Sequence, residues 1–303
     1  MSGFKGNIAA LLIAYERPEN TIKQMKKLAN LGCRIYLFID GPKNDDIWRK
    51  QRYLQEEAKK ISASSFYKIK VFQERENLGL ASAIPKGVDW IFTQEQTAVI
   101  LEDDIEFQED FLVFSEKVLK KYINNDEILL VSGNQFMNMR DKSGISATSY
   151  PLIWGWSTTS QKWDIMKALS EKEDLEREVF LKPTVAAFWE LGWMRARDKR
   201  INSWIIGIAA QMRFSGKYCI APNVNLTSNV GDDLAAVHTT DSSPGMRVPL
   251  QNTSWIMGED FLGNLDTKAY DRYLEKNLYK IRLRTLLTLF LYRVNQMFRE
   301  SKK

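Results

Sequence analysis

Histidine and cysteine are almost missing from this chain. Of 303 residues, one is histidine and two are cysteine. Cys33 and Cys219 lie far apart and neither belongs to a paired motif. That excludes a disulfide framework and a cysteine zinc site, and it fits a reducing compartment. Glycine-rich phosphate loops are missing too. No G-x-G-x-x-G follows the first apolar run, and no G-x-x-x-x-G-K-[ST] occurs anywhere. Any phosphate must then be held by a metal ion and by arginine. The start of the chain lacks a secretory signal, and no apolar run is long enough to span a bilayer. Repeats and low-complexity segments are absent. Net charge is only +5, and no arginine-rich tract is present, which argues against a nucleic-acid partner.

What is present fits a globular protein of ordinary composition, 44% hydrophobic and 27% charged, long enough for one large domain or two modest ones. Nine tryptophans imply a large core or a site that stacks rings.

The first half alternates apolar runs with helical periodicity. Strands are expected over 8–14, 34–39, 69–72, 98–101 and 128–131. Helices are expected after Pro18, from Ile47, through Val88 and Ile91, and from Phe111. Alternation at this spacing implies right-handed βαβ units, hence an α/β fold with a mostly parallel, Rossmann-like sheet flanked by helices. Polar residues then gather at the carboxyl ends of the strands, where open α/β sheets bind ligands. Arg17 follows the first strand and suits a phosphate or a surface ion pair. Asp40 follows the second and suits a base, a ribose or a turn. Asn77 follows the third. The fourth runs into Glu102-Asp103-Asp104. Three adjacent carboxylates repel one another unless a cation or hydrogen-bond donors offset them. A metal-dependent nucleotide site and a solvated acidic turn fit that triplet equally; the convergence of four polar positions on one edge favours the site.

The second half carries Trp154-Gly155-Trp156, with Trp163 beyond. Trp154 and Trp156 are read as a platform for a sugar ring, or as core. Helices are expected over 185–195 and 202–212, a strand over 218–222, and a polar loop after it. His238 lies in that polar region and is a ligand candidate. From Tyr279 onward, leucines and phenylalanines mix with arginines and lysines. A cationic amphipathic helix over 280–303 suits an anionic membrane face or docking on the domain or on a second subunit, as in a homodimer.

The order Arg17, Asp40, Asn77-Leu78-Gly79, Glu102-Asp103-Asp104 resembles glycosyltransferases of the GT-A fold. The likeness is to the N-acetylglucosaminyltransferase I branch, whose metal motif reads E-D-D, and to bacterial sugar transferases with a W-G-W-x-x-W segment. It covers roughly residues 7 to 240. The resemblance implies that Asp104 binds Mn2+ or Mg2+ with His238 nearby. It implies that Glu102 and Asp103 contact the nucleotide sugar, Asp40 the base and Arg17 a phosphate. The implied organisation is a nucleotide-sugar half (1–135), an acceptor half (136–255) and a C-terminal tail (256–303) with the basic helix. The implied reaction is transfer of a sugar from a nucleoside diphosphate donor, UDP-linked, to a glycan acceptor, lipid-linked at the inner membrane face, with inversion, as in polysaccharide synthesis. In relatives an aspartate just before a tryptophan is the catalytic base; here that position reads Asn202-Ser203-Trp204. Asp198, Asp232 and Asp233 are the candidates to replace it. A sugar nucleotidyltransferase and a non-catalytic relative are the alternatives.

Overall fold

Continuous apolar runs become strands here because both faces of the sheet are covered. Strand β1 (Ala9–Ala14) is fully buried and is followed by α1 (Pro18–Asn30), β2 (Arg34–Ile39), α2 (Asp45–Ser64), β3 (Lys70–Gln73), α3 (Leu80–Phe92) and β4 (Thr97–Glu102). A tight turn then leads to β5 (Ile105–Phe107), α4 (Glu109–Lys121) and β6 (Ile128–Ser132). The second half comprises β7 (Ile145–Thr148), β8 (Trp156–Thr159), α5 (Ser160–Glu171), α6 (Pro183–Arg197), α7 (Ile205–Phe214), β9 (Tyr218–Pro222), β10 (Thr227–Asn229), α8 (Thr267–Asn277) and α9 (Arg284–Glu300). This computed structural model describes residues 8–139, 144–231, 250 and 267–300.

Local signals set the helix ends. Pro18 occupies the first turn of α1, where its missing N–H costs nothing. The Asn44 side chain accepts a hydrogen bond from the Ile47 N–H at 3.0 Å and caps α2. Thr159 caps α5 in the same way through Lys162.

Eight strands form one sheet in the order β3-β2-β1-β4-β8-β6-β9-β7. The fold is thus a mixed α/β, Rossmann-like sheet, mainly parallel and flanked by helices. β3, β2, β1 and β4 are parallel neighbours, as are β6 and β9. The expected βαβ order fails at one place: β8 inserts antiparallel between β4 and β6. β7 closes the far edge antiparallel to β9. A separate two-stranded ribbon pairs β5 with β10.

Side chains of each strand alternate between two cores. Ala10, Leu12, Leu37, Ile39, Val99 and Leu101 face α1, α2 and α4. Ala9, Leu11, Ile13, Phe38, Ala98 and Ile100 face α3 and the later helices. This period-2 sorting decides where the acidic triplet points.

Candidate active site

The register places three strand ends in line. Ala14 pairs with Ile39, and Ile13 with Glu102, so the loops after β1, β2 and β4 emerge together at the carboxyl edge. Between them and the 202–205 segment lies a cleft of about 360 Å³. Arg17, Asp40, Asn77, the acidic triplet and Trp154 all line it.

The three carboxylates of the triplet have three different environments. Residue 103 falls on the α1 side of the alternation, and Asp103 turns that way. One carboxylate oxygen accepts hydrogen bonds from the backbone N–H groups of Tyr15 (3.0 Å) and Glu16 (3.3 Å). The other accepts from the Arg17 guanidinium at 3.0 Å. The Asn20 side chain donates to the Asp103 carbonyl at 2.6 Å. Asp103 therefore fixes the β1–α1 loop, its carboxylate held by protein donors. Arg17 is likewise an ion-pair partner of Asp103, with Asp104 at 3.9 Å.

Glu102 falls on the opposite side and lines the cleft. Burial, then repulsion from Asp104 and Asp103, pushes its pKa well above the usual carboxylate range. Asp104 is pushed up to about 6, first by burial and then by Asp103, with Arg17 and an Asn229 hydrogen bond acting against the shift. Gly231 packs directly on it: a Cβ there would lie 2.7 Å from its Oδ2. Glu102 and Asp104 are thus two desolvated carboxylates facing one cleft, a pair that a divalent cation would relieve.

Asp40 is held by protein donors as well. Its Oδ1 accepts from the backbone N–H groups of Gly41 and Leu78, both at 2.8 Å. Its Oδ2 accepts from Asn77 Nδ2 at 2.9 Å and the Gly79 N–H at 3.1 Å. A carboxylate has about four lone-pair sites, and these are all used. Asp40 and Asn77 therefore clasp the β2 and β3 loops together. The clasp fixes Gly79, which holds a positive φ of 73° as the N-cap of α3. The positive end of α3 consequently opens on the cleft, with Gly79 and Leu80 in its lining.

The opposite wall is built by tryptophans. Trp154 lines the cleft and meets Phe136 edge-on at 5.0 Å. Trp156 is fully buried, so it is core and not a platform. It stacks on Trp204 at 5.4 Å, and Trp163 closes the cluster at 6.2 Å from Trp156. Through Trp204 this cluster holds Asn202 and Ser203 against the cleft. Thr159 stands where W-G-W-x-x-W spacing would put its last ring.

Among the base candidates, Asp198 lies elsewhere. It caps the end of α6, accepts a hydrogen bond from the Tyr292 hydroxyl and sits 3.9 Å from Arg200. Asp232, Asp233 and His238 lie outside the described residues. Among the described residues no group of three His, Cys, Asp or Glu side chains could hold a metal ion.

Two cleft residues escaped the sequence reading. The Tyr15 hydroxyl is buried, and burial raises its pKa. Lys43 sits with its ammonium 5.7 Å from the Tyr15 ring and also lines the cleft. The only signal for Lys43 was its place just after Asp40-Gly41-Pro42.

No protein-family model and no curated protein matches the chain. Distant likenesses exist among solved structures. UDP-glucose pyrophosphorylase complexed with UDP-glucose aligns with a TM-score of 0.39 at 10% identity, covering 71% of this chain and 90% of that one. Its apo form gives 0.38 at 11% identity over the same shares. A Bacillus anthracis protein described as a glucose-1-phosphate thymidylyltransferase gives 0.32 at 12%, over 54% and 75%. Likeness this remote carries no argument about activity.

Proposed function

We propose that the chain is a metal-dependent glycosyltransferase that takes a sugar from a nucleoside diphosphate donor, UDP-linked by the resemblance, to a glycan acceptor. The observation that carries this reading is the pair Glu102 and Asp104, two desolvated carboxylates at the edge of the cleft. The donor set suits Mg2+ or Mn2+: such ions take one or two carboxylates and complete their shell with substrate phosphates, so a closed cage of protein ligands is not required. When bound, the ion would supply Lewis-acid stabilisation of the departing diphosphate. His238 is proposed as a late ligand on the resemblance alone.

The chain's own residues would do the rest. Asp103 keeps the β1–α1 loop in place, with Arg17 and the Tyr15 hydroxyl at the cleft. Trp154 offers a ring face to the sugar. Asp232 or Asp233, which follow Gly231 directly in sequence, would take the acceptor hydroxyl's proton in an inverting displacement.

One observation favours a second reading. The wall that should bear the base carries Asn202 and Ser203, which suits a relative that binds nucleotide sugars without transfer. A sugar nucleotidyltransferase is less well supported. That chemistry needs free backbone N–H groups after β1 for a triphosphate, and those of Tyr15 and Glu16 are taken by Asp103.

Titration calorimetry of UDP and UDP-sugars with and without Mn2+ tests the site. Binding that requires metal and disappears in Asp104→Ala supports it; binding unchanged by either refutes it. Asp232→Asn and Asp233→Asn, assayed for turnover, separate the two readings. Transfer lost in one of them with donor affinity kept identifies the base, whereas donor binding with no transfer to any acceptor favours the second reading.

A further inference from the structure

We infer that α9 and the basic cleft beside it form a docking surface for an anionic lipid bilayer. Helix α9 uses one side for the fold: Leu289 and Tyr292 are buried against Ala187 and Leu191 of α6. Its other side is apolar and, among the described residues, uncovered. Leu283, Leu286, Leu287, Phe290, Leu291 and Met297 are all exposed, Leu283 at 75% and Phe290 at 62%. At 100° per residue the five of these inside α9 fall within about 140° of the helix circumference, and Leu283 immediately precedes them. A ridge of this size on a water-facing helix is costly to leave uncovered.

Charge selects the occupant. Immediately before the ridge lies a cleft of about 430 Å³ lined by Lys182, Arg272, Lys276, Lys280 and Arg282. The one acidic residue lining it, Glu275, is engaged by the Tyr150 hydroxyl at 2.9 Å and by Arg213 at 3.1 Å. Arg282 of the cleft and Leu283 of the ridge are consecutive. Phe180, 95% exposed and two residues from Lys182, adds an aromatic side chain to this neighbourhood. Apolar residues that enter the acyl boundary, next to cations that meet phosphate headgroups, are the two parts of interfacial membrane binding. A second copy on a two-fold axis would bring this basic cleft close to its own image, and like charges would oppose the contact. Spanning is excluded for the described helices, none of which is long and apolar enough. The surface stands independently of the chemistry in the nucleotide cleft, so its failure leaves the glycosyltransferase reading intact.

Sedimentation of the full chain with vesicles tests the inference. Vesicles containing phosphatidylglycerol should carry the protein down, and pure phosphatidylcholine should not, with binding weakening as salt rises. Leu287→Glu with Phe290→Glu should lower vesicle binding at least about tenfold. Arg272→Gln with Lys276→Gln should remove most of the salt dependence. Both pairs are exposed, and unchanged UDP binding and melting temperature would show that the fold is kept. Three outcomes overturn the inference: no binding to anionic vesicles, binding unaffected by the charge and ridge variants, or a dimer in light scattering that Phe290→Glu dissolves. Full competition by millimolar inorganic phosphate would also overturn it, by reducing the surface to a small-anion pocket.

Discussion

Alternation along one strand gives three neighbouring carboxylates different work. Residues 98 and 100 face α3 and residues 99 and 101 face α1, and Asp103, just past the end of β4, bonds the β1–α1 loop. Asp103 therefore meets Arg17 and two loop N–H groups, whereas Glu102 and Asp104 are left desolvated. Substitutions should split accordingly. Asp103→Ala strips an acceptor from Arg17, Tyr15 and Glu16 and should cost about 3 kcal/mol, read as a lower urea midpoint. Asp104→Asn removes repulsion instead and should raise the melting temperature of chelator-treated protein. The pH dependence follows from the sign of the shift. Asp104 titrates near 6 when folded, against 3.8 in its ordinary state. Between those values the folded chain binds more protons than the unfolded one, so this group's contribution to stability falls as pH rises. The advantage of Asp104→Asn should thus be absent near pH 4, grow toward pH 6 and level off above it. An advantage that shrinks toward neutral pH would refute the assignment.

At the scale of elements, the strands legible in the sequence are those that carry an apolar run, most of them buried on both faces. β1, β2, β4, β6 and β9 read as apolar runs because neither side meets water. β5, β7, β8 and β10 did not: β5 is only three residues long, and Ile-Ser-Ala-Thr, Trp-Ser-Thr-Thr and Thr-Ser-Asn are three or four residues long and at least half polar. Their order comes from distant partners. The Thr158 hydroxyl donates to the Leu129 carbonyl at 2.6 Å, a contact no local pattern announces. The site was legible to the same extent. The sequence located the cleft at the strand ends, but not which carboxylates were already occupied. Asp40 looked available and is bound by four donors, because its partners at 77–79 lie on another loop. The β5–β10 ribbon illustrates the consequence. Asn229 ends β10, bonds Asp104 and also accepts the Gly231 N–H at 2.7 Å. Gly231→Ala would put a Cβ within 2.7 Å of the Asp104 carboxylate and 2.9 Å of its Cβ. We expect metal-dependent nucleotide affinity to fall about tenfold or more, with the melting temperature changed little. Full affinity in calorimetry would mean that Asp104 does not hold the ion.

The whole molecule is closed by a contact between its ends of the fold. α8 brings Tyr270 and Leu274 into the core on the α3 side of the sheet, while its Arg272 and Lys276 remain outside at the basic cleft. Between these faces Asp271, buried, accepts from the Thr148 hydroxyl at 2.6 Å, the Ser149 N–H at 3.0 Å and the Ser149 hydroxyl at 2.8 Å. The partners sit at the end of β7, the last strand of the sheet, more than a hundred residues earlier. Burial raises the pKa of Asp271 while these donors and Arg213 oppose the shift. The carboxylate is retained because its acceptors are filled; without it, two hydroxyls and a backbone N–H would be left dry. Asp271→Ala should therefore cost about 3 kcal/mol, from several lost bonds to a charged group. An edge strand that loses its covering helix also offers unpaired backbone to other chains. The variant should consequently show a lower urea midpoint together with light scattering that grows on warming, while Thr148→Val, which removes one bond only, should show a smaller drop and no aggregation. If both variants unfold at the wild-type midpoint, α8 is docked by its apolar face alone, and the basic cleft it carries is not held in place by Asp271.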